Sequence, residues 1–497
     1  MLMNEEDCGS ITIVQLATHR LSAAALPALL ASRDKLLARG QHGMLIDLGR
    51  VRRITTAGIA ALVELAAQFK PGYPLAFCNA EPTVATQIAA SHIATLLPHF
   101  PTRDCALQSP PFLARRLTGT KALILCAGAG SRMAPLSAAC PKPLLPLFGT
   151  PILTYILDHL GQFGIDDVLL NPGYHGDQFL KFRPTQPQQR LHFFNEGRHD
   201  ADGWHAEPIG SASTLARLHH RHNMLTSDLI VLCGDALVDI NLADMMRHHR
   251  NTGATATIAT AKVPRASCQK YGILQTDSTG RVLSFQEKPT PAQALSNLAN
   301  TGVYIFSPTV APYLIDAPDQ DIATHLLPSL LKNGRLISAY EEPFEWVDLG
   351  CPHDFAQAHF DALNAQLRTL APAGQKMRED LWCGKGAHLS RRTKITGPCY
   401  IGRNATIEKG VEINGPCIIG DNCRISGPSL IHNSIILADT QVHLGAWIDG
   451  QITAPTWSIS HADADGTLAR HPHPALDRVG PIELSPTHVS QNKGIRA

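Results

Sequence analysis

At 497 residues the chain has room for about three domains of roughly 150 residues each, and a formal charge of +1 with 17% charged side chains offers no field for nucleic acid or an acidic membrane surface. No apolar run approaches the roughly 20 residues of a membrane span. The acidic start Met1 to Asp7 lacks the basic and apolar parts of a secretion signal, so a cytoplasmic protein is expected. The 12 cysteines without a Cys-x-x-Cys pair and the 24 histidines without zinc-like spacing read as reduced, packed or solvated side chains.

Residues 1–108 make the first predicted unit. Ile11 to Leu16 alternates as a strand, and Ala23 to Ala38 has helical periodicity. Gly43 to Leu48 is a second strand, Ile59 to Phe69 an apolar helix, and Tyr73 to Cys78 a third strand before a helix from Glu81. Strands and helices alternating at this size imply a small α/β domain. Through Leu45-Ile46-Asp47-Leu48-Gly49 and Ile54-Thr55-Thr56-Ala57-Gly58-Ile59 it resembles the STAS domain, the fold of anti-sigma-factor antagonists. In that family a Ser or Thr at the start of this helix accepts phosphate from a partner kinase. Thr56 stands there, while Thr55 replaces the usual Asp. The resemblance implies a protein partner for this domain. The plainer alternative is that Thr55 or Thr56 only caps the helix.

Proline and charge mark residues 109–119 as a linker. Residues 120–365 then alternate strands (168–170, 229–233, 254–261) with helical stretches, as in a mainly parallel sheet that binds ligand at the carboxyl ends of its strands. The first strand, Lys121 to Leu125, runs into Cys126-Ala127-Gly128-Ala129-Gly130-Ser131-Arg132-Met133, with Pro141-Lys142-Pro143 close behind. Glycines at a strand-to-helix turn let backbone N–H groups surround an anion. Arg132 and Lys142 add cations for phosphate oxygens. The loop is neither a Walker loop, lacking Gly-Lys-Ser/Thr, nor a dinucleotide fingerprint, lacking the third glycine.

Gly-x-Gly-Ser-Arg followed by Pro-Lys-Pro resembles the sugar-nucleotide pyrophosphorylases, the nucleotidyltransferases that join a sugar 1-phosphate to an NTP. The likeness recurs at Glu207-Pro208-Ile209-Gly210-Ser211-Ala212, Leu232-Cys233-Gly234-Asp235, Phe285-Gln286-Glu287-Lys288-Pro289, Asn300-Thr301-Gly302 and Trp346-Val347-Asp348-Leu349-Gly350. It implies that Ala127, Gly128, Gly130, Ser131, Arg132 and Gly210 bind nucleotide. Arg132, Lys142 and Asp235 would be catalytic, and Glu287, Lys288 and Asn300 would bind the sugar phosphate. Asp235 and Asp348 would hold Mg²⁺, whose preference is for oxygen ligands. Cys126, Ala129 and Ser213 depart from the family pattern, and Ser213 puts a Cβ where backbone is expected near the ligand. The stretch 197–205 reads as an insertion. Within the family the set looks most like the mannose-1-phosphate guanylyltransferases, with glucose-1-phosphate thymidylyl-, adenylyl- and cytidylyltransferases as alternatives.

After a connecting segment, 366–382, aliphatic residues recur every six positions from Leu389 through Ile395, Ile401 and Ile407 to Ile431 and Leu437, with mostly small residues four positions on. This period predicts a left-handed parallel β-helix over 383–455, in three coils, with Cys399 and Cys417 stacked in its interior. Such a β-helix suggests a homo-oligomer. Residues 456–497, rich in Pro, His and Asp, are expected to be a poorly ordered tail. The predicted architecture is therefore α/β: a STAS-like domain, a Rossmann-like α/β/α nucleotidyltransferase domain and a β-helix of hexapeptide repeats. Two rival functions remain. Acyl transfer is common among β-helix enzymes, but His432 and His443 hold ordinary positions in the repeat. A non-catalytic STAS-linked sensor of nucleotide or sugar phosphate is the other.

Overall fold

Short apolar runs spaced by helices build the first sheet. The computed structural model describes residues 3–69 and 72–462. In it Ile11–Leu16, Gly43–Asp47, Leu75–Cys78 and His99–Phe100 lie side by side in parallel, and Met3–Cys8 adds an antiparallel edge strand. That edge strand has no apolar alternation, because Asn4, Glu5, Glu6 and Asp7 all face solvent. Thr55 caps helix Thr56–Ala67: its hydroxyl accepts the Gly58 N–H at 3.0 Å and donates to the Leu21 carbonyl at 3.2 Å. Thr56 is exposed at the first helical position, as is Ala57 beside it, whereas Thr55 is half-buried.

The segment read as a linker contains a helix, Pro110–Arg116. Phe112 is buried with Ile11, Ile13, Leu45 and Phe100 of the first sheet. Beyond it, Arg116 is buried and donates through both terminal nitrogens to Asp244 Oδ1 at 3.3 Å, while Leu117 N–H donates to the Phe163 carbonyl at 2.9 Å. Gln108 completes the contact, donating to Asp244 Oδ2 at 3.1 Å and accepting from Asn241 at 3.1 Å. One carboxylate thus gathers both ends of the connecting segment onto helix Leu242–Thr252.

The second sheet runs in the order 190–193, 167–170, 121–125, 229–233, 298–306, 256–262, 337–340. Its first four strands are parallel, and Leu298–Phe306 is antiparallel to both its neighbours. A bulge in its pairing with Ala256–Lys262 divides this long strand, so residues 303–306 pair with Leu229–Cys233 and residues 298–299 with the hairpin strand Gly272–Thr276. Leu123, Val231, Ile258, Phe306 and Leu330 share the core against one face.

Two compact units result: residues 1–129, 140–144 and 152–346 form one, and 130–139, 145–151 and 347–497 the other. The second unit contains helix Pro352–Leu363 and a parallel β-helix. Three stacks of short strands run through 381–453, each strand pairing in parallel with the one a coil later. Cys399 pairs with Cys417 in register, and both are buried. The stacks hold four to five such strands each, so the helix is longer than the three expected coils. Asn414 pairs with His432 eighteen positions on, but Ile418 pairs with Ile435 only seventeen on. The corner at 433–434 is one residue shorter than its predecessor. Ile436, not Leu437, therefore points inward, fully buried, and Leu437 is only half-buried. Ser458–Ser460, which the sequence reading placed in the tail, pairs antiparallel with Gln451–Thr453. Residues 463–497 of that expected tail lie outside the described residues.

Candidate active site

The carboxyl ends of strands Lys121–Leu125 and Leu229–Cys233 sit side by side, since Cys233 pairs with Leu125. Gly234 follows with no room for a side chain: a Cβ there would lie 2.9 Å from the Leu125 carbonyl, 3.0 Å from Cys126 Sγ and 3.1 Å from Pro143. This close approach brings Asp235 to Lys142, with Nζ 2.7 Å from Oδ2. Lys142 is 6% exposed, whereas the Asp235 side chain is 40% exposed. A buried ammonium needs a counter-charge, so the lysine orients the acid and leaves its second oxygen open.

The loop after Leu125 is held from below. Cys126 N–H donates to Asn171 Oδ1 at 2.6 Å, and Tyr174 N–H donates to the Ala127 carbonyl at 3.1 Å. Gly128 and Ala129 are exposed, with nothing obstructing the face of Gly128. Gly210, at φ +96°, precedes helix Ser211–His222, and a Cβ on it would overlap the Gln320 carbonyl. That carbonyl accepts the Ala212 and Ser213 N–H groups, so the helix start is satisfied by protein. The Ser213 hydroxyl donates to the Ala317 carbonyl and accepts from Gln320 N–H at 3.1 Å. It stitches the helix to the 317–320 loop, and its side chain is buried in protein, contrary to the expected intrusion on a ligand.

Glu287 and Lys288 are exposed neighbours, 3.2 Å apart as an ion pair. Lys288 takes φ +46°, a costly conformation for a residue with a Cβ. Asn300 donates to the Tyr304 hydroxyl at 2.8 Å and accepts from Gly302 N–H at 3.0 Å, which fixes its amide at the strand bend.

In the second unit, Gly130 adopts a left-handed conformation (φ +59°) and starts the single turn Ser131–Met133, from which Arg132 is exposed. Gly350 marks a meeting point: a Cβ there would stand 3.1 Å from Asp348 Oδ2, 3.1 Å from Asp354 Oδ2 and 3.7 Å from Arg132 Nη1. The structure therefore brings Arg132 and Asp348 together there, and Lys142 and Asp235 together in the first unit. Asp354 was not singled out as a site residue; it lies four positions beyond the Asp-x-Gly segment that was.

Comparison with known proteins decides the class. The family model described as nucleotidyl transferase matches residues 121–365. The UTP–glucose-1-phosphate uridylyltransferase of Synechocystis sp. is 34% identical over 285 residues, covering 56% of this chain and 73% of that protein. The chain belongs to the nucleotidyl transferase family. The mannose-1-phosphate guanylyltransferase catalytic subunit beta of Drosophila pseudoobscura pseudoobscura is 31% identical, over 54% of this nucleotidyltransferase and 67% of that protein. The mannose-1-phosphate guanyltransferase beta-A of Xenopus laevis is 33% identical, over 54% and 69% respectively. The STAS domain model matches residues 6–106, and the bacterial transferase hexapeptide model matches 398–433. The nucleotidyltransferase thus carries all three predicted domains in the predicted order.

Nucleotidyltransferases of this family generally use a divalent metal. Among the described residues there is no cluster of three or more His, Cys, Asp or Glu able to hold an ion. The donor set fits a hard cation that takes one or two carboxylates and fills its remaining positions with phosphate and water oxygens. Asp235, with one oxygen open, meets that requirement in the first unit, and Asp348 is the candidate in the second. Among the described residues, no helix is long and apolar enough to cross a membrane.

Sequence reasoning missed the layer beneath the loops. Asn171, Glu196 and Thr214 form a buried polar cluster behind Cys126 and Gly210. Asn171 directly follows the predicted strand 168–170, and a polar residue at the end of an apolar run was the available signal.

Proposed function

We propose that the chain joins an NTP to a sugar 1-phosphate, releasing pyrophosphate and an NDP-sugar. The reading is supported above all by the Lys142–Asp235 pair at the carboxyl edge of the sheet, next to loop 126–129. Ala127, Gly128, Gly130, Ser131, Arg132 and Gly210 hold the nucleotide. Glu287 accepts hydrogen bonds from the sugar hydroxyls, Lys288 pairs with the sugar phosphate, and Asn300 faces the sugar. An oxygen of the sugar phosphate, already ionised near neutral pH, attacks the α-phosphorus. The new P–O bond forms as the bond to the β-phosphate oxygen breaks, and that oxygen leaves with the electron pair as pyrophosphate. No general base is needed. Lys142 and Arg132 contribute by positioning and charge neutralisation. Asp235 and Asp348 are the residues that would hold the proposed Mg²⁺, which would supply further neutralisation of phosphate charge.

GTP with mannose 1-phosphate is the first pair proposed. UTP with glucose 1-phosphate is the second, favoured by the extent of the match to the Synechocystis protein. The protein is proposed to be cytoplasmic, to assemble with copies of itself through the β-helix, and to meet a protein partner at the STAS domain, where Thr56 is the candidate phosphoacceptor. The test is pyrophosphate release by the purified chain with Mg²⁺, across four NTPs and the 1-phosphates of mannose, glucose, galactose and N-acetylglucosamine. Turnover of one pair is expected. Nucleotide binding with no turnover of any pair would replace this reading with the sensor.

A further inference from the structure

Behind the two loops assigned to the nucleotide lies an acid without a counter-ion. Glu196 is 3% exposed, and among the described residues it has no ion-pair partner. Its carboxylate is satisfied by three donors from three places in the chain. Oε1 accepts from Asn171 Nδ2 at 2.8 Å and from the Thr214 hydroxyl, and Oε2 accepts the Ile209 N–H at 3.0 Å. Asn171 in turn accepts the Cys126 N–H at 2.6 Å. A backbone N–H can only donate, so Asn171 must turn its oxygen to Cys126 and its NH₂ to Glu196. Only a group that accepts at both oxygens closes this chain of bonds, and a carboxylate is that group. The Thr214 backbone N–H adds a link to the Gly210 carbonyl at 2.9 Å.

We propose that Glu196 is a positioning residue that locks loop 126–128 and loop 209–210 into one piece and so shapes the nucleotide side of the site. This rests on the nucleotidyl-transfer reading above. Burying a carboxylate without a cation is costly, and a loop staple alone has cheaper neutral solutions. What the acid adds is a fixed spacing between two backbone segments that would otherwise move independently. The inference concerns the NTP, because Cys126, Ile209 and Gly210 all belong to segments assigned to nucleotide, whereas Glu287, Lys288 and Asn300 lie outside the cluster.

The test is a hydrogen-bond swap. In Glu196→Gln the new NH₂ must oppose either the Asn171 NH₂ or the Ile209 N–H, breaking the chain. In the double variant Asn171→Asp/Glu196→Gln the direction reverses. The carboxylate introduced at position 171 accepts from both the Cys126 N–H and the amide introduced at position 196, and the oxygen of that amide accepts from Ile209. Steady-state kinetics of full-length protein, with the pair that the wild type turns over, should show KM for the NTP raised about tenfold in Glu196→Gln, as expected for one lost hydrogen bond to a charged group. KM for the sugar 1-phosphate should stay within about twofold, and the double variant should recover the wild-type NTP value. Wild-type kinetics in Glu196→Gln, or equal loss for both substrates with no recovery in the double variant, would overturn the proposal. If Glu196→Gln does not fold, the double variant decides: folded with a normal NTP KM supports it, and any other result refutes it. A wild type that turns over no pair would instead refute the catalytic reading, an outcome seen before any variant is made.

Discussion

At the scale of single residues, the Lys142–Asp235 pair ties activity to stability. Asp235→Ala removes both a proposed metal ligand and the counter-charge of a lysine that is 6% exposed. Pyrophosphate release should fall at least about a hundredfold, and stability by about 3 kcal/mol, because a buried charge is left unpaired. Lys142→Met in the same chain should restore the melting temperature without restoring turnover, which separates the two roles. Histidines provide a second handle. Burial pushes His159 and His359 down to about 4. His359 donates from Nδ1 to the Phe355 carbonyl at 2.9 Å and accepts the Phe148 N–H at 3.4 Å, as only the neutral ring can. Between about pH 6.5 and 4 the unfolded chain takes up protons that the folded chain refuses. Stability is therefore full above about pH 6.5 and lost as the pH falls toward 4, by up to about 3 kcal/mol per histidine. Thermal melts across that window should show the slope, and His359→Gln should make it shallower while leaving the share that His159 contributes.

At the scale of elements, the hairpin Gly197–Asp200 and Gly203–Ala206 pins a loop in place. Trp204 donates to the Gly173 carbonyl at 2.6 Å and lies where Gly176 and Gly197 leave no space for a Cβ. Trp204→Ala should cost about 2 kcal/mol in denaturant melts, less than for a fully buried ring because this one is half-buried. Elements with a period were readable in the sequence: the strands ending at Leu125 and Cys233, and the hexads through Ile431. Met3–Cys8 was not, because its four central side chains are polar and exposed, with only Met3 and Cys8 at its ends half-buried, so it carries no apolar alternation. Leu437 was assigned inward by counting sixes, which fails once the corner at 433–434 loses a residue, and the hexapeptide match ends at the same place. The charged motifs, by contrast, stood out in the sequence because phosphate chemistry needs particular side chains, and folding brings Lys142 to Asp235 and Arg132 to Asp348. The Glu196 cluster was not, since its partners, Cys126, Asn171, Ile209 and Thr214, are brought together only by folding.

At the scale of the whole molecule, Asp244 fastens the STAS domain to the helix it sits on. Asp244→Ala strands buried Arg116 without its carboxylate and should open the segment 108–119 to limited proteolysis at temperatures where the wild type resists. Light scattering of a chain lacking residues 383–497 tests the proposed assembly: a drop to monomer is expected, and unchanged oligomeric state would remove the β-helix from that role. The helix Pro110–Arg116 also bears on how the chain can be divided. The STAS match stops at 106 and the nucleotidyl transferase match begins at 121, as though the two were cassettes joined end to end. Yet Phe112 fills the first sheet's core while Arg116 and Leu117 are bonded to the second domain. One short helix is owned twice, and neither neighbour is whole without it. A cut at 106 takes Phe112 out of the first sheet's core, and a cut at 121 takes Arg116 away from Asp244, so moving the STAS domain between chains has to carry this helix and its receiving surface together.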